Sequence, residues 1–219
     1  MQSQCPKQYL TIDNFTIIEH TVIRLLSHED IDKVVIALGE NDEYFADTSL
    51  INNSNVSIVV GGKERVDSVL AALKSIDKNH YQWVLVHDAA RPCITHFDIS
   101  ALIEKTQRMN TGGLLAMPVR DTMKRGKREK QGSLVEHTVE RSELWHALTP
   151  QMYRSDELQS AIEQALSTNS EITDESSAME IFGFESILVE GSGDNIKITR
   201  PDDLALAEFI LTKQRNKKE

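Results

Sequence analysis

Short apolar runs alternate with helix-like stretches along most of the chain, and this alternation constrains the fold more than any other feature of the sequence. Four runs have the length and β-branched content of buried strands: residues 34–38, 56–60, 83–86 and 114–117. Three stretches around them have the apolar spacing of amphipathic helices: residues 16–27, 65–76 and 98–108. Alternation of this kind predicts an α/β fold in which helices cover a mostly parallel sheet.

The second half of the chain continues the alternation after one interruption. Residues 120–140 hold the cation-rich stretch KRGKREK, which predicts a projecting β-hairpin or arm. Further helices are predicted beyond it, at residues 156–166, 176–182 and 201–212. Extended runs are predicted at residues 186–189 and 196–199, and a frayed tail at 213–219.

Length, charge and cysteine usage narrow the classes of protein that the chain can be. A chain of 219 residues predicts a single domain over residues 1–219. The net charge of −10 disfavours nucleic-acid binding. Cys5 and Cys93 lack the spacing of a disulfide framework or a zinc site, which favours a reducing cytoplasm. Without an export leader or a long apolar run, we expect neither secretion nor membrane insertion.

The segment 87–92 (HDAARP) follows the most apolar of the predicted strands. Ligands of open α/β sheets bind at the carboxyl ends of strands, where Asp88 could hold a divalent cation and Arg91 an anion. A turn in which Asp88 simply pairs with Arg91 is equally compatible with the spacing. His87 is more typical of a packing residue than of a ligand.

Three other polar segments carry weaker signals. The segment 61–68 (GGKERVDS) joins a predicted strand to a helix, where glycines and helix amides favour an anionic ligand. Lys197 lies in a short extended run, pointing away from its apolar neighbours. Taken alone, Lys197 is compatible with simple solvent exposure, and the segments 138–141 and 172–175 with turns and helix caps.

The ordered set of motifs resembles one family, the 2-C-methyl-D-erythritol 4-phosphate cytidylyltransferases of the non-mevalonate isoprenoid pathway. The resemblance extends over essentially the whole chain and rests on CPKQY at 5–9, VHDAARP at 86–92, PVRDTMK at 118–124, LTPQ at 148–151, ITDE at 172–175, Lys197 and Arg200–Pro201. It implies a Rossmann-like, glycosyltransferase-A-like nucleotidyltransferase fold built as a three-layer sandwich. It also implies Mg2+ as cofactor, CTP and 2-C-methyl-D-erythritol 4-phosphate as substrates, and a homodimer that exchanges the 120–140 arm.

The resemblance also implies roles for individual residues. The catalytic group comprises Lys7, Lys197 and Arg141. CTP contacts fall on Lys7, Gly62, Arg65, Ser68 and Asp88, and Asp88 is also the metal ligand. Contacts to the second substrate fall on Asp88, Arg91, Thr122, Arg141, Thr149, Thr173 and Lys197, with Thr122 and Arg141 reaching the neighbouring subunit's site. Lys63 stands where some relatives carry Asp, which leaves no expected CTP contact for that side chain.

The sequence departs from the family at its amino terminus. Relatives begin with a strand and a Gly-rich, Arg-containing phosphate loop, and Met1 aligns with the Met that follows that Arg. We therefore expect an N-terminally truncated domain, either through a start assigned at an internal Met or through a real loss, with lowered stability and activity. Two alternative functions remain open: a cytidylyltransferase for another sugar-alcohol phosphate such as ribitol 5-phosphate, and an inactive dimeric scaffold.

Overall fold

The structure is a computed structural model that describes residues 5–129 and 132–216. Three features of the sequence analysis lie outside these residues. They are Met1, which aligns with a Met of the relatives, residues 130 and 131 of the predicted arm, and residues 217–219 of the predicted tail.

The α-helices of the described residues match the predicted ones. They are α1 (Ile17–Leu26), α2 (Arg65–Ser75), α3 (His96–Met109), α4 (Ser155–Ser167), α5 (Glu175–Ile181) and α6 (Pro201–Asn216). A reciprocal capping box between Thr16 and Glu19 starts α1, as the spacing of these residues predicts. The last helix extends beyond the prediction, because residues 213–216 continue α6 and do not fray.

The strands include the four predicted runs and one long strand that the sequence did not reveal. They are β1 (Thr11–Ile12), β2 (Phe15–Thr16), β3 (Val34–Leu38), β4 (Val56–Val60), β5 (Trp83–Val86), β6 (Gly113–Pro118), β7 (Met123–Glu129), β8 (Gly132–Val139), β9 (Trp145–Arg154) and β10 (Ile187–Glu190). The sequence does not predict β9, because this strand contains Pro150 and proline argues against a central strand.

The sheet is less parallel than the alternation predicts. Strand order in the larger sheet is β10-β6-β9-β5, in which β10 and β6 are parallel and β9 runs antiparallel to both of its neighbours. Strands β3 and β4 form a separate parallel pair. The antiparallel direction of β9 follows from the arm, which reverses the chain after β6 and returns it beside the same sheet.

The predicted extended run at 196–199 is not a strand. Its backbone instead bonds to the loop after β5, where Ile198 N donates to Ala90 O at 2.9 Å. Ile198 is fully buried while Lys197 is exposed, so the predicted alternation of these side chains is confirmed. This contact brings Lys197 beside the end of β5.

The arm is the predicted β-hairpin. Strands β7 and β8 pair antiparallel from Met123 opposite Val139 to Glu129 opposite Gly132. The side chains along both strands are almost all exposed, including Leu134 and Val135.

A cleft of about 730 Å3 separates the β3–β4 pair from the larger sheet. Strand β3 lines one side and β5 the other, and no strand lies between them within residues 5–129 and 132–216. The lining of the cleft includes the loop after β5, together with Lys7, Arg65 and Lys197. None of the helices in the described part of the chain is both long and apolar enough to span a membrane.

Candidate functional site

Three cations converge on one carboxylate at the carboxyl end of β5. Oδ2 of Asp88 lies 2.9 Å from Lys197 Nζ and 3.3 Å from Arg91 Nε. Oδ1 of Asp88 lies 3.5 Å from Arg65 Nε. Burial by itself would raise the pKa of Asp88, but Lys197 first, then Arg65 and Arg91, outweigh it and hold the pKa below its usual value. Asp88 is therefore a carboxylate at neutral pH.

Arg65 joins the cluster to a second, deeply buried carboxylate. Its guanidinium makes two bonds to Glu175, with Nη1–Oε1 at 2.6 Å and Nη2–Oε2 at 3.0 Å. Arg65 is the first residue of α2 and Glu175 the first of α5, and the Glu175 side chain is 2% exposed. Desolvation works to lower the pKa of Arg65, but Glu175 and then Asp88 raise it overall. The sequence gives no signal for the pairing of Glu175 with Arg65, because the two residues lie 110 positions apart.

Arg91 points into the protein and not into the open cleft. Its Nη1 donates to the carbonyl of Asn195 at 2.7 Å, and only 8% of the residue is exposed. The turn in which Asp88 pairs with Arg91, one of the two interpretations of the motif, is thus present. Burial lowers the pKa of Arg91, yet a guanidinium stays charged at any physiological pH.

His87 and Thr149 tie the loop after β5 to β9. Thr149 Oγ1 lies 2.9 Å from His87 Nδ1 and accepts from the backbone N–H of Asp88 at 3.1 Å. The other ring nitrogen of His87 lies 3.2 Å from the carbonyl oxygen of Arg91. His87 is therefore a hydrogen-bonded bridge between two segments and more than the packing residue that the sequence predicts.

The Gly-rich turn packs tightly on the first turn of α2. The N–H of Gly62 donates to Ser68 Oγ at 3.1 Å, and a side chain at Gly62 would overlap Asp67. Glu64 and Asp67 form a capping box that begins the helix. The turn therefore requires glycine at position 62 for close packing, and it uses the Ser68 hydroxyl within the turn itself.

The structure brings most of the predicted site residues to one end of the cleft. Five of them line it: Lys7, Arg65, Ser68, Asp88 and Lys197. Thr173 is exposed and precedes Glu175 by two residues, while Arg91 and Thr149 lie behind Asp88. Thr122 and Arg141 are exposed at the base of the arm and do not line the cleft.

The charges at this end of the cleft favour an anionic ligand. Arg65 and Lys197 line this end of the cleft, and Arg91 lies behind Asp88, so three positive charges surround the two carboxylates of Asp88 and Glu175. Lys7 also lines the cleft. Positive charge concentrated in one cleft of a chain whose net charge is −10 is the arrangement that phosphate groups need.

A metal ion would find a single acidic ligand here. Among residues 5–129 and 132–216, no group of three or more His, Cys, Asp or Glu side chains is arranged to hold one. Asp88 Oδ1 has its Arg65 contact at 3.5 Å, beyond ordinary hydrogen-bond length, so this oxygen can turn to a cation. Mg2+ commonly binds through one or two carboxylates together with substrate phosphates, and Asp88 fits that pattern.

Comparisons with known proteins agree along nearly the whole chain. A family model described as 2-C-methyl-D-erythritol 4-phosphate cytidylyltransferase matches residues 1–213. A protein of that name from Colwellia psychrerythraea is 57% identical over 221 residues, which cover 99% of this chain and 91% of the relative. Another of that name from Salmonella heidelberg is 53% identical over 213 residues, which cover 97% and 89%.

Solved structures show the same likeness. The crystal structure of Francisella tularensis 2-C-methyl-D-erythritol 4-phosphate cytidylyltransferase matches with a TM-score of 0.81 and 36% identity, covering 94% of this chain and 93% of that one. A crystal structure of 4-diphosphocytidyl-2C-methyl-D-erythritol synthase matches with a TM-score of 0.82 and 34% identity, covering 94% and 95%.

Proposed function

This chain belongs to the 2-C-methyl-D-erythritol 4-phosphate cytidylyltransferase family, and on that premise we propose that the Asp88 cluster is where it transfers CMP from CTP to 2-C-methyl-D-erythritol 4-phosphate. The products are 4-diphosphocytidyl-2-C-methyl-D-erythritol and pyrophosphate, and the fold is the Rossmann-like nucleotidyltransferase fold that the motifs imply. The observation that carries the proposal is the convergence of Lys197, Arg91 and Arg65 on Asp88 at the edge of the sheet.

The reaction joins two anions, so its main demand is positive charge. An oxygen of the sugar-alcohol phosphate attacks the α-phosphorus of CTP, a new P–O bond forms, and the bond from the α-phosphorus to the bridging oxygen breaks as pyrophosphate leaves. Lysines that face both phosphates reduce the electrostatic repulsion between the two anions as they approach each other. Lys7 and Lys197 line the same cleft and suit that role.

Lys197 differs from the two other cations that contact Asp88, because Arg91 is buried and Arg65 is also bound to Glu175. Its side chain is 40% exposed, against 10% for Arg91, and it makes its ion pair at the open end of the cleft. A flexible ammonium can exchange a carboxylate for a phosphate without rearranging the backbone. We therefore assign Lys197 to the phosphate that reacts and Arg91 to holding Asp88 in place.

The remaining assignments divide the cleft between the two substrates. Gly62, Arg65 and Ser68 lie at the start of α2, where backbone amides and a guanidinium suit the nucleotide. Thr173 lies just before α5, on the side of the cleft that we assign to the sugar-alcohol phosphate. Thr149 lies on β9 and serves that side from behind, through its bond to the backbone N–H of Asp88.

Asp88 would hold Mg2+ through Oδ1, with CTP phosphates completing the coordination. The bound ion would supply charge neutralisation at the triphosphate. The cations around Asp88 keep its carboxylate ionised, so that it is ready to bind the metal ion.

A homodimer would complete the site from the arm. Thr122 and Arg141 lie at the base of the β7–β8 hairpin and outside their own cleft. The exposed apolar side chains of Leu134 and Val135 offer the arm a surface for a second copy. Three expectations from the sequence remain predictions. The partners are small-molecule substrates, the protein binds neither nucleic acid nor membrane, and it is located in the cytoplasm, as charge and cysteine usage indicate.

Pyrophosphate release from CTP, Mg2+ and 2-C-methyl-D-erythritol 4-phosphate tests the proposal. We expect Lys197→Ala to lower turnover at least about 10²-fold, while Lys213→Ala, which removes an exposed lysine paired with Asp194, leaves it unchanged. Equal loss in both variants would contradict the assignment. Faster turnover of ribitol 5-phosphate would indicate the related substrate, and no turnover of either would indicate the scaffold; neither alternative has support from the relatives.

A further inference from the structure

Four residues behind the proposed site form a closed ring of hydrogen bonds. Arg91 contributes its carbonyl oxygen, 3.2 Å from His87 Nε2, and the other His87 nitrogen lies 2.9 Å from Thr149 Oγ1. The carbonyl oxygen of Thr149 accepts from Asn195 Nδ2 at 2.8 Å. The carbonyl oxygen of Asn195 accepts from Arg91 Nη1 at 2.7 Å, which closes the ring.

The ring lies directly beside the site: three of its residues are buried, and His87 is half-buried and lines the cleft. The exposed fractions are 8% for Arg91, 6% for Thr149 and 2% for Asn195. The Thr149 hydroxyl also accepts from the N–H of Asp88 at 3.1 Å. The ring therefore joins the loop that carries Asp88 and Arg91 to β9 and to the segment that precedes Lys197.

The partners of His87 determine where its proton lies. A carbonyl oxygen can only accept, so the nitrogen that faces the Arg91 carbonyl, Nε2, must carry hydrogen. In the neutral ring Nδ1 is then an acceptor, and the Thr149 hydroxyl donates its one proton to it. A single ring proton on Nε2 therefore satisfies both contacts of the imidazole.

We propose that His87, as the Nε2–H tautomer, is a positioning residue that fixes the Asp88 loop and holds the Thr149 hydroxyl proton away from substrate. The proposal rests on the function proposed above. Its consequence is that Thr149 can only accept from a ligand, because its proton is already donated to His87. Thr149 then supports the site through the backbone of Asp88 and not as a donor to a substrate phosphate.

Nitrogen-15 NMR of the histidine side chains in the unmodified protein tests the tautomer directly. We expect a pyrrole-like shift for Nε2 of His87 and a pyridine-like shift for Nδ1 near pH 7, assigned by their loss in His87→Gln. A proton on Nδ1, or averaged shifts for the two nitrogens, would overturn the proposal. This measurement needs no substrate, so its result does not depend on whether the proposed function is correct. The proposed function is tested separately, by turnover of the wild-type protein.

Kinetics of matched variants test the positioning role. Thr149→Ser keeps the hydroxyl and should retain turnover within about threefold, whereas Thr149→Val should lower kcat by up to about 10²-fold with little change in KM for the sugar-alcohol phosphate. His87→Gln keeps a donor for the Arg91 carbonyl and loses the acceptor for Thr149, so it should lower kcat to a similar extent.

Combining the two changes distinguishes the proposed role from a direct contact. Because His87→Gln and Thr149→Val break the same link, the double variant should be no slower than the slower single variant. Additive losses, or a rise in KM confined to Thr149→Val, would indicate that Thr149 contacts the substrate directly and would refute the proposal. Thermal unfolding of each variant sets an assay temperature at which all are folded.

Discussion

Neutralising Asp88 should destabilise the protein, because three cations would lose their common carboxylate. In Asp88→Asn the most affected partner is Arg91, whose side chain is 10% exposed. Removing one partner of a buried ion pair costs about 3–5 kcal/mol. Arg91 keeps its bond to the Asn195 carbonyl, which lowers the expected loss to about 2–4 kcal/mol.

The two other cations add little to this loss. The side chains of Lys197 and Arg65 are 40% and 41% exposed, so water screens them once Asp88 is neutral. At about 2–4 °C per kcal/mol for a chain of this size, Asp88→Asn should lower the Tm by roughly 5–15 °C. The exposed pair of Asp194 and Lys213 provides the control, and Asp194→Asn should change the free energy of unfolding by less than about 0.5 kcal/mol.

The same variant should respond more strongly to anions than the wild type. Pyrophosphate can take the place of the missing carboxylate, so it should raise the Tm of Asp88→Asn by more than that of the parent protein in scanning fluorimetry without Mg2+. The lowered pKa of Asp88 also predicts that its stabilising effect is present above the unfolded-state pKa and is lost as the pH falls through the folded-state pKa. A Tm within about 2 °C of the wild type, or equal stabilisation of both proteins by pyrophosphate, would refute this account of the cluster.

Three further substitutions test other contacts. Glu175→Gln should lower the free energy of unfolding in urea by about 1–3 kcal/mol, because it breaks the paired bonds to Arg65. An unchanged urea midpoint would show that this contact between α2 and α5 does not stabilise the fold. Glu19 accepts four hydrogen bonds, from the N–H and hydroxyl groups of two residues, so Glu19→Gln should cost about 2–4 kcal/mol at pH 7. Burial would raise the pKa of Glu19 but these bonds lower it overall, so the difference from wild type should shrink as the pH falls through the folded-state pKa; a constant difference down to pH 3 would contradict this. Gly62→Ala should cost about 1–3 kcal/mol, because its methyl group would overlap Asp67, and an unchanged Tm would show that the turn can yield.

Local patterns in the sequence predicted the elements that local physics controls. The spacing of Thr16 and Glu19 predicted the start of α1, and apolar periodicity predicted β3 and α2 nearly to the residue. The cation-rich stretch after β6 predicted the hairpin. Such features depend on residues a few positions apart, so they can be predicted from the sequence alone.

Long-range direction and pairing were less accessible. Pro150 concealed β9, and the antiparallel direction of this strand follows from a reversal of the chain at the arm. The run at 196–199 has the alternation of a strand, yet it bonds to the loop after β5 at Ile198 and pairs with no strand in the described part of the chain. Strand identity in these cases depends on which segments meet and not on composition.

The sequence by itself determined the α/β class, the family and the loops on which the proposed site residues lie. Only the tertiary structure decided which polar groups meet: Glu175 with Arg65 across 110 residues, Asn195 with Arg91 across 104, and His87 with Thr149 across 62. Motif spacing reports the order of residues along the chain. The electrostatics of a site depend on distance in space and on exclusion of water, and both arise only when the sheet, the loop after β5 and α5 pack together.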